Sequence, residues 1–478
     1  MNRGGMDMGS IKISFDYNNA LTSVVGEKHG IGAKELKELD KQALGVHQEL
    51  ERQRKEKLTG MFDLPYDTLL VQAIMAIGNE IRRSFENFVV IGIGGASLGP
   101  QCLCQALTSS YHNFLSSQDR KHIPRIFFLS NPDPDEVKGL LDSLDLRSTA
   151  FNIISKSGNT METMSIFMHI YNVVQRRFSK AALSKHFIIT TGSEKGLIRD
   201  VAVADKLKTL PIPENVNERF SVFSPVGLLP AAVANINIKD LLDGAIAMDK
   251  QCSRPELFNN PAYLNGAIHY LAHTKKGKNI SVIMPYSRSL AAVGAWYCHI
   301  WAESLAKKTN AKGNHTGQTP MTVLGMADQN PLMSLFLEGA NDKIYTFLEL
   351  KKFQKECPVP RVFPNIEALN HLTEQDLGVL LHQELLASEF ILARHERPNV
   401  KISLGEINAQ NIGALLYLIE LQTVFTAGLY HINGFDKPAG AEVETLTHAL
   451  MGLKTPECKN LLKDFKTETK EKKKHKCL

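Results

Sequence analysis

Short runs of apolar residues alternate with helical stretches through most of the chain, and this alternation constrains the fold more than any other feature. In the first half the runs are rich in β-branched and aromatic residues: "FVVIGI" (88–93), "RIFFLS" (125–130), "FNIIS" (151–155) and "HFIITT" (186–191). Unbroken apolar runs predict strands that are buried on both faces. Helical patterns between such strands predict a parallel sheet with helices on each side.

The same pattern resumes in the second half of the chain. A helical stretch at 238–252 is followed by "NISVIMPY" (279–286), a helix at 290–308, and "KIYTFLEL" (343–350). The final third reads mostly as helix. The sequence therefore predicts an α/β protein built from two doubly wound parallel-sheet domains, with a helical C-terminal region.

The length of 478 residues exceeds what one ordinary core supports, so two or three domains are expected. We place the domain boundaries where the pattern of the sequence changes. We predict an N-terminal arm of one or two helices (1–60), a first domain (61–237), a second domain (238–455) and a Lys-rich tail (456–478).

The charge of the chain is concentrated at its C-terminus. The net charge is +5, but "KTETKEKKKHK" (466–476) carries six Lys and two Glu, which leaves the remainder at +1. We interpret this segment as a disordered, solubilising end, because no basic face interleaved with aromatic residues accompanies it. The sequence therefore predicts neither a nucleic-acid partner nor a membrane partner.

The seven cysteines form no CxxC pair, and their number is odd. This usage is typical of reduced thiols in a cytosolic protein and offers no metal-site spacing. The sequence shows no signal-peptide pattern and no long uncharged apolar run. We therefore expect a cytoplasmic protein.

The segment "SKSGNTMET" (155–163) follows a predicted strand and holds four hydroxyl side chains, one Lys and one Gly. Loops of this kind lie at the carboxyl edge of a parallel sheet, where helix N-termini present free N–H groups. The candidate anion ligands are Ser155, Lys156, Ser157, Thr160 and Thr163. A simpler alternative is plain helix capping by Asn159 or Thr160 with help from Glu162, but one such side chain suffices for a cap. We favour anion binding.

A Gly-rich turn follows a second predicted strand, in "IGIGGASLGP" (91–100). Its spacing is not that of a dinucleotide-binding motif. Two strand-to-helix loops of a kind that can bind phosphate therefore lie in one predicted sheet, and each strengthens the interpretation of the other.

Several segments together resemble the glucose-6-phosphate isomerase family in its shorter bacterial form. They are "GIGGASLGP", "SKSGNTMET", "ERFSVFSPVGLLPAA" (218–232), "MPYSRSLAAVGAWYCHIWAESLAKK", "GQTPMTVLGMADQ" (317–329) and "FLEGANDK" (336–343). Their order and spacing hold from about residue 60 to residue 455. The resemblance implies two flavodoxin-like sugar-isomerase (SIS) domains and a homodimer with its active site at the subunit interface.

The resemblance also implies an activity and no cofactor. The family interconverts glucose 6-phosphate and fructose 6-phosphate in glycolysis and gluconeogenesis. One carboxylate moves a proton between adjacent carbons through a cis-enediol, and nearby positive charge stabilises the oxyanion.

By the same resemblance, Ser155, Ser157, Thr160 and Thr163 hold the sugar phosphate and the Gly94–Gly95 turn lines the site. Arg219 lies near the reacting carbons, and Glu338 is the general base. Taken from the residues alone, the commoner role for Arg219 is that of a structural ion-pair partner, and the commoner role for Glu338 is that of a solvent-facing residue at a helix end.

The chain departs from the family pattern at the reacting end of the sugar. In "FDKPAGAEVE" (435–444) Lys437 replaces a Gln, and Glu444 replaces the lysine associated with ring opening. Asn330 replaces a His, His299 replaces a Gln, and Ala96 replaces a Ser, with Ser97 adjacent. His371 is the nearest candidate for the ring-opening histidine.

Two interpretations of these changes stay open. Lys437 could supply the missing ammonium group, with Glu444 as its ion-pair partner, so that isomerisation survives. Alternatively, the chain is a sugar-phosphate-binding paralogue with weak or no isomerase activity.

Overall fold

The computed structural model describes residues 11–308, 313, 315–436 and 440–472. Its strands are β1 (Ile13–Asp16), β2 (Asn87–Ile91), β3 (Arg125–Leu129), β4 (Thr149–Ser155), β5 (Phe187–Gly192), β6 (Lys208–Ile212), β7 (Ile280–Pro285), β8 (Thr319–Thr322), β9 (Lys343–Lys352) and β10 (Asn399–Glu406). Its helices are α1 (Thr22–His29), α2 (Ala33–Lys55), α3 (Thr68–Ser84), α4 (Gly95–Leu107), α5 (Pro134–Ser143), α6 (Met161–Gln175), α7 (Lys180–His186), α8 (Leu197–Ala204), α9 (Pro225–Val233), α10 (Ile238–Gln251), α11 (Pro261–Lys276), α12 (Ala291–Leu305), α13 (Gln329–Leu337), α14 (Leu377–Arg394), α15 (Ala409–Leu429), α16 (Ala441–Leu450) and α17 (Pro456–Lys472). The predicted α/β class is confirmed.

The first sheet has the strand order β3–β2–β4–β5–β6, and every neighbouring pair is parallel. Relative to chain order this is the 2-1-3-4-5 arrangement of flavodoxin-like folds. Phe88 and Val90 pack into one apolar cluster, whereas Val89 and Ile91 pack into another on the opposite face. Because both faces of β2 are covered, its sequence is an unbroken apolar run.

The second sheet has the order β1–β10–β9–β7–β8. Its four later strands are parallel, and β1 pairs with β10 in the antiparallel direction, with Ile13 opposite Leu404. The N-terminal segment had been predicted to be helical only, so β1 is a difference. Although β1 belongs to the predicted N-terminal arm, it pairs within the second sheet. This sheet therefore contains residues from outside the predicted second domain (238–455). Those boundaries stay predictions.

The C-terminal segment also differs from expectation. Residues 466–472 were predicted to be disordered, but they belong to helix α17. The Cys458 thiol of α17 donates to the Thr445 carbonyl of α16 at 3.5 Å, so the two helices pair. Residues 473–478 lie outside the described part of the chain.

One large apolar cluster joins the inner faces of both sheets, and α15 passes through it. Helices α10 and α15 approach closely through glycines. A Cβ on Gly244 would lie 1.9 Å from the Gln410 carbonyl oxygen, and one on Gly413 would lie 1.9 Å from the Leu241 carbonyl oxygen. Within the described residues, α15 is long and apolar enough to cross a bilayer, but 94% of its most apolar window is buried inside the fold. Its composition is therefore explained by burial in the core.

A buried carboxylate fastens the N-terminal arm to this core. Asp249 of α10 accepts two hydrogen bonds from the Arg54 guanidinium of α2, at 3.0 and 2.7 Å. The hydroxyls of Tyr66 and Tyr417 donate to the same carboxylate at 2.6 and 2.9 Å. Burial and the contact with Asp249 raise the pKa of Tyr66 to about 12. Four donors from three separate segments therefore converge on one acid.

His269 of α11 makes stability depend on pH. Its side chain is fully buried, with Nδ1 3.0 Å from the Asn265 carbonyl oxygen, and burial lowers its pKa from 6.5 to about 4. Between these two values the unfolded state binds more protons, so stability decreases as pH falls through this window. At about 1.36 kcal/mol per pKa unit, the loss approaches about 3 kcal/mol at pH 4. Urea unfolding should show a weaker pH dependence for His269→Gln than for the wild type, and parallel pH profiles would exclude this origin.

Candidate active site

Two strand-to-helix junctions meet at the topological switch point of the first sheet. Strands β2 and β4 are adjacent and parallel, with Ile91 opposite Ile153. Their carboxyl ends therefore place the Gly-rich turn after β2 beside the hydroxyl-rich loop after β4. In flavodoxin-like sheets, ligands bind at this point.

The Gly-rich turn needs glycine for two different reasons. Gly94 has φ +58°, a conformation that residues with a side chain rarely adopt. At Gly95, a Cβ would lie 2.4 Å from the carbonyl oxygen of Glu218. The start of α4 therefore packs directly against the 3₁₀ turn Glu218–Phe220, which contains Arg219.

The loop after β4 is organised by its own hydroxyl groups. Ser155 Oγ accepts from the Gly158 N–H at 3.1 Å and lies 3.0 Å from Thr160 Oγ1. The Ser157 hydroxyl accepts from the Asn159 N–H at 3.2 Å. Thr160 occupies the N-cap position of α6, but its side chain does not cap the helix. The plain capping alternative is therefore not what the structure shows, and the N-terminus of α6 is left without a side-chain cap.

These elements enclose a cavity of about 780 Å³. Thr163 lines it; its side chain is 1% exposed, and its hydroxyl has no hydrogen-bond partner among the described residues. Buried hydroxyls are nearly always paired, so this one is an exception among the described residues. Lys195 also lines the cavity, and Lys156, a further lining residue, donates to the Glu214 carbonyl oxygen at 2.8 Å.

The opposite wall carries a carboxylate beside a buried arginine. Glu303 of α12 lines the cavity, and its Oε2 lies 3.3 Å from Nη1 of Arg219, whose side chain is fully buried. Burial lowers the pKa of Arg219, and the charge of Glu303 opposes that shift. His299, one helical turn before Glu303, also lines the cavity, with Nε2 3.6 Å from Glu303 Oε2.

The position of Arg219 is held by several acceptors. Its Nε donates to Ser304 Oγ at 2.9 Å, and its Nη2 donates to the carbonyl oxygens of Gly434 and Asp436, both at 2.8 Å. Lys307 also contacts this loop, since its ammonium group forms an ion pair with the Asp436 carboxylate at 2.6 Å. Arg219 is not among the described residues that line the cavity; its guanidinium connects Glu303, which does line it, to the loop that precedes α16.

Helix α16 supplies the remaining wall. Ala441, Val443, Glu444 and Thr447 line the cavity, so Glu444 does face the site as its place in the C-terminal motif suggested. Lys437, predicted to supply an ammonium group, lies outside the described residues.

Most of the predicted phosphate ligands line this cavity, while Glu338 and His371 do not. The lining includes Gly94, Gly95, Ser155, Lys156, Ser157, Thr160 and Thr163. Ser97 is buried beside it and accepts from the Gln101 side-chain amide at 2.6 Å. Glu338 ends α13 and His371 lies in a 3₁₀ helix; both are exposed, and neither belongs to the described lining. Within one chain these two residues do not reach the site.

Comparison with known proteins adds independent information. Residues 73–338 match the model of the family described as phosphoglucose isomerase. A glucose-6-phosphate isomerase of Carboxydothermus hydrogenoformans is 36% identical over 92% of this chain and 95% of its own length. One from Methanocaldococcus jannaschii is 34% identical, covering 92% of this chain and 99% of its own.

The chain belongs to the phosphoglucose isomerase family. The solved structure of a hypothetical protein from Thermus thermophilus matches this phosphoglucose isomerase fold with a TM-score of 0.82 and 28% identity, over 92% of this chain and 100% of that one. A glucose-6-phosphate isomerase from Chlamydia trachomatis matches with a TM-score of 0.70 at 22% identity, over 83% and 76% of the respective chains, and supports the fold.

Sequence reasoning missed Glu303 and His299 as a pair in this phosphoglucose isomerase family member. They stand in the otherwise largely apolar α12 segment "AAVGAWYCHIWAESL". A His and a Glu four residues apart share one face of a helix. Two titratable side chains on one face of a mostly buried helix need a partner or a function, and that signal could have identified them.

Proposed function

We propose that this chain catalyses the reversible isomerisation of glucose 6-phosphate and fructose 6-phosphate. The observation that carries the proposal is one shared cavity. An uncapped helix N-terminus and a group of hydroxyls lie on one wall, and a carboxylate in contact with a buried arginine lies on another.

The phosphate of the substrate fits the wall formed by residues 155–163. A dianionic ester accepts hydrogen bonds from free N–H groups at the start of α6 and from the hydroxyls of Ser157, Thr160 and Thr163. The positive end of the helix dipole favours the same charge. Lys156 and Lys195 add positive charge at this wall.

Glu303, rather than Glu338, is proposed as the general base. An aldose–ketose isomerisation removes the proton on C2 and returns one to C1, and a single carboxylate on one face of the sugar can do both. The negative charge that develops on the enediolate oxygen requires a nearby permanent cation. Arg219 is proposed to supply this charge from outside the described cavity lining: its buried guanidinium lies 3.3 Å from Glu303 and stays charged at neutral pH.

The assembly state is proposed to be a homodimer. Many large apolar side chains between Val362 and Phe390, on the excursion after β9 and on α14, are exposed in the single chain: Val362, Phe363, Ile366, Leu372, Leu377, Val379, Leu380, Leu386 and Phe390. Homodimer interfaces are more apolar than ordinary surface. A second copy covering this segment gives twice the monomer mass in light scattering, and Glu338 and His371 could act only across such an interface. A cytoplasmic location, in agreement with the cysteine usage, is part of the same proposal.

A coupled assay of the purified chain tests the activity. Fructose 6-phosphate is supplied, and glucose 6-phosphate is detected by an NADP-dependent dehydrogenase. We expect turnover proportional to the amount of protein. Binding of 6-phosphogluconate in calorimetry without any turnover would instead identify a sugar-phosphate-binding paralogue.

A further inference from the structure

We propose that His299 is the acid that opens the sugar ring, before Glu303 acts on the open chain. The inference rests on the proposed isomerase activity and assigns a second catalytic residue to the same cavity. It concerns a step that Glu303 cannot perform while it serves as the carboxylate base.

Hexose 6-phosphates in water are almost entirely cyclic, and proton transfer at C2 needs the open form. Opening breaks the C1–O5 bond, and its electron pair stays on O5, which takes a proton. The proton on the anomeric oxygen O1 then leaves, and its electron pair forms the C1=O1 double bond. An imidazolium that protonates O5 becomes the neutral imidazole that accepts the O1 proton, so the group is regenerated and protons balance.

The geometry places His299 where such a transfer is needed. Its Nε2 lies 3.6 Å from Oε2 of Glu303, and the side chains of both residues are 22% exposed. On its other side the ring packs against the Gly-rich turn, where a Cβ on Gly94 would lie 3.3 Å from His299 Cε1. The imidazole therefore stands between the turn that closes the cavity and the base that acts on C1 and C2.

The chemistry of the remaining wall favours His299 over its neighbours. Among the described residues that line the cavity, the other ionisable groups are carboxylates and lysines: Glu162, Glu214, Glu218, Glu303, Glu444, Lys156 and Lys195. Imidazole is the group whose ordinary titration range lets it both donate and accept a proton near neutral pH. His371, the histidine chosen from the sequence, is exposed and outside this lining.

Anomer exchange isolates the ring-opening step from isomerisation. Exchange NMR measures the α–β interconversion of glucose 6-phosphate, which requires ring opening but no proton transfer at carbon. We expect the wild type to accelerate this exchange. His299→Gln should lose about 10²-fold in anomer exchange, which is the contribution of a positioned acid.

Binding of 6-phosphogluconate, an acyclic sugar phosphate, verifies that each variant keeps a folded site. His299→Asn serves as the second variant. Anomer exchange at the wild-type rate in either variant that binds this ligand overturns the inference, and so does loss of binding in both variants, since His299 is then structural. The proposed isomerase function is judged separately, by formation of fructose 6-phosphate in the wild type.

Discussion

Glu303→Gln is expected to lower kcat for isomerisation by about 10³-fold, within the range that a general base contributes. Gln keeps the shape of the side chain and one oxygen that can face Arg219, but it cannot take a proton from C2. Because the substitution leaves the loop at 155–163 unchanged, the affinity for 6-phosphogluconate should change little. The measurement is the coupled assay together with calorimetry.

Glu338→Gln is the matched control, because it removes the same charge from the residue that the family resemblance had suggested. Glu338 ends α13 and is exposed, so we expect its variant to keep activity close to that of the wild type. The reverse result, with Glu303→Gln active and Glu338→Gln inactive, would assign the base to Glu338 acting across a subunit interface.

Asp249→Ala is expected to destabilise the protein by about 3–5 kcal/mol, because it leaves the Arg54 guanidinium without its buried partner. The carboxylate also accepts hydrogen bonds from Tyr66 and Tyr417, so their hydroxyls lose an acceptor in the interior. A loss of this size is a large part of the stability of an ordinary domain. Urea unfolding measures it.

Asp240→Ala supplies the control on the same helix, because Asp240 lies in the exposed first turn of α10. An acidic side chain at this position interacts favourably with the helix dipole, which is worth about 1 kcal/mol at an exposed site. Equal urea midpoints for the Asp249 and Asp240 variants would show that the arm is not fastened through this carboxylate.

Most strands that could be predicted from the sequence lie inside a sheet; β3 was predicted as well, although it lies at a sheet edge, because it contains the apolar run "IFFL". β2, β4 and β5 lie inside the first sheet, so their residues are mostly apolar and stand out from the helices, although β4 contains Asn152 and β5 contains Thr190 and Thr191. β1, β6 and β8 lie at sheet edges and are short or contain proline, and β10 carries Lys401 within its run. Such strands lack an apolar signature because part of each one meets solvent or a polar partner.

The loop at 155–163, which is proposed to bind the phosphate, could also be predicted from the sequence. Its hydroxyls, glycine and helix start lie within nine consecutive residues, so the local sequence contains most of its chemistry; Lys195 comes from another loop. No comparable pattern of neighbouring residues marks Glu303, the residue proposed as the base. The role proposed for Glu303 depends on Arg219, which is 84 positions away in the chain but 3.3 Å away in space.

The amino-acid order by itself determined that this chain forms parallel sheets with a phosphate-type loop at a strand end, because periodicity and loop chemistry are properties of neighbouring residues. The tertiary structure decided which carboxylate faces that loop. That choice depends on how α12 packs beside the first sheet, where contacts between distant segments bring Glu303 and His299 to the cavity and place the buried Arg219 against Glu303.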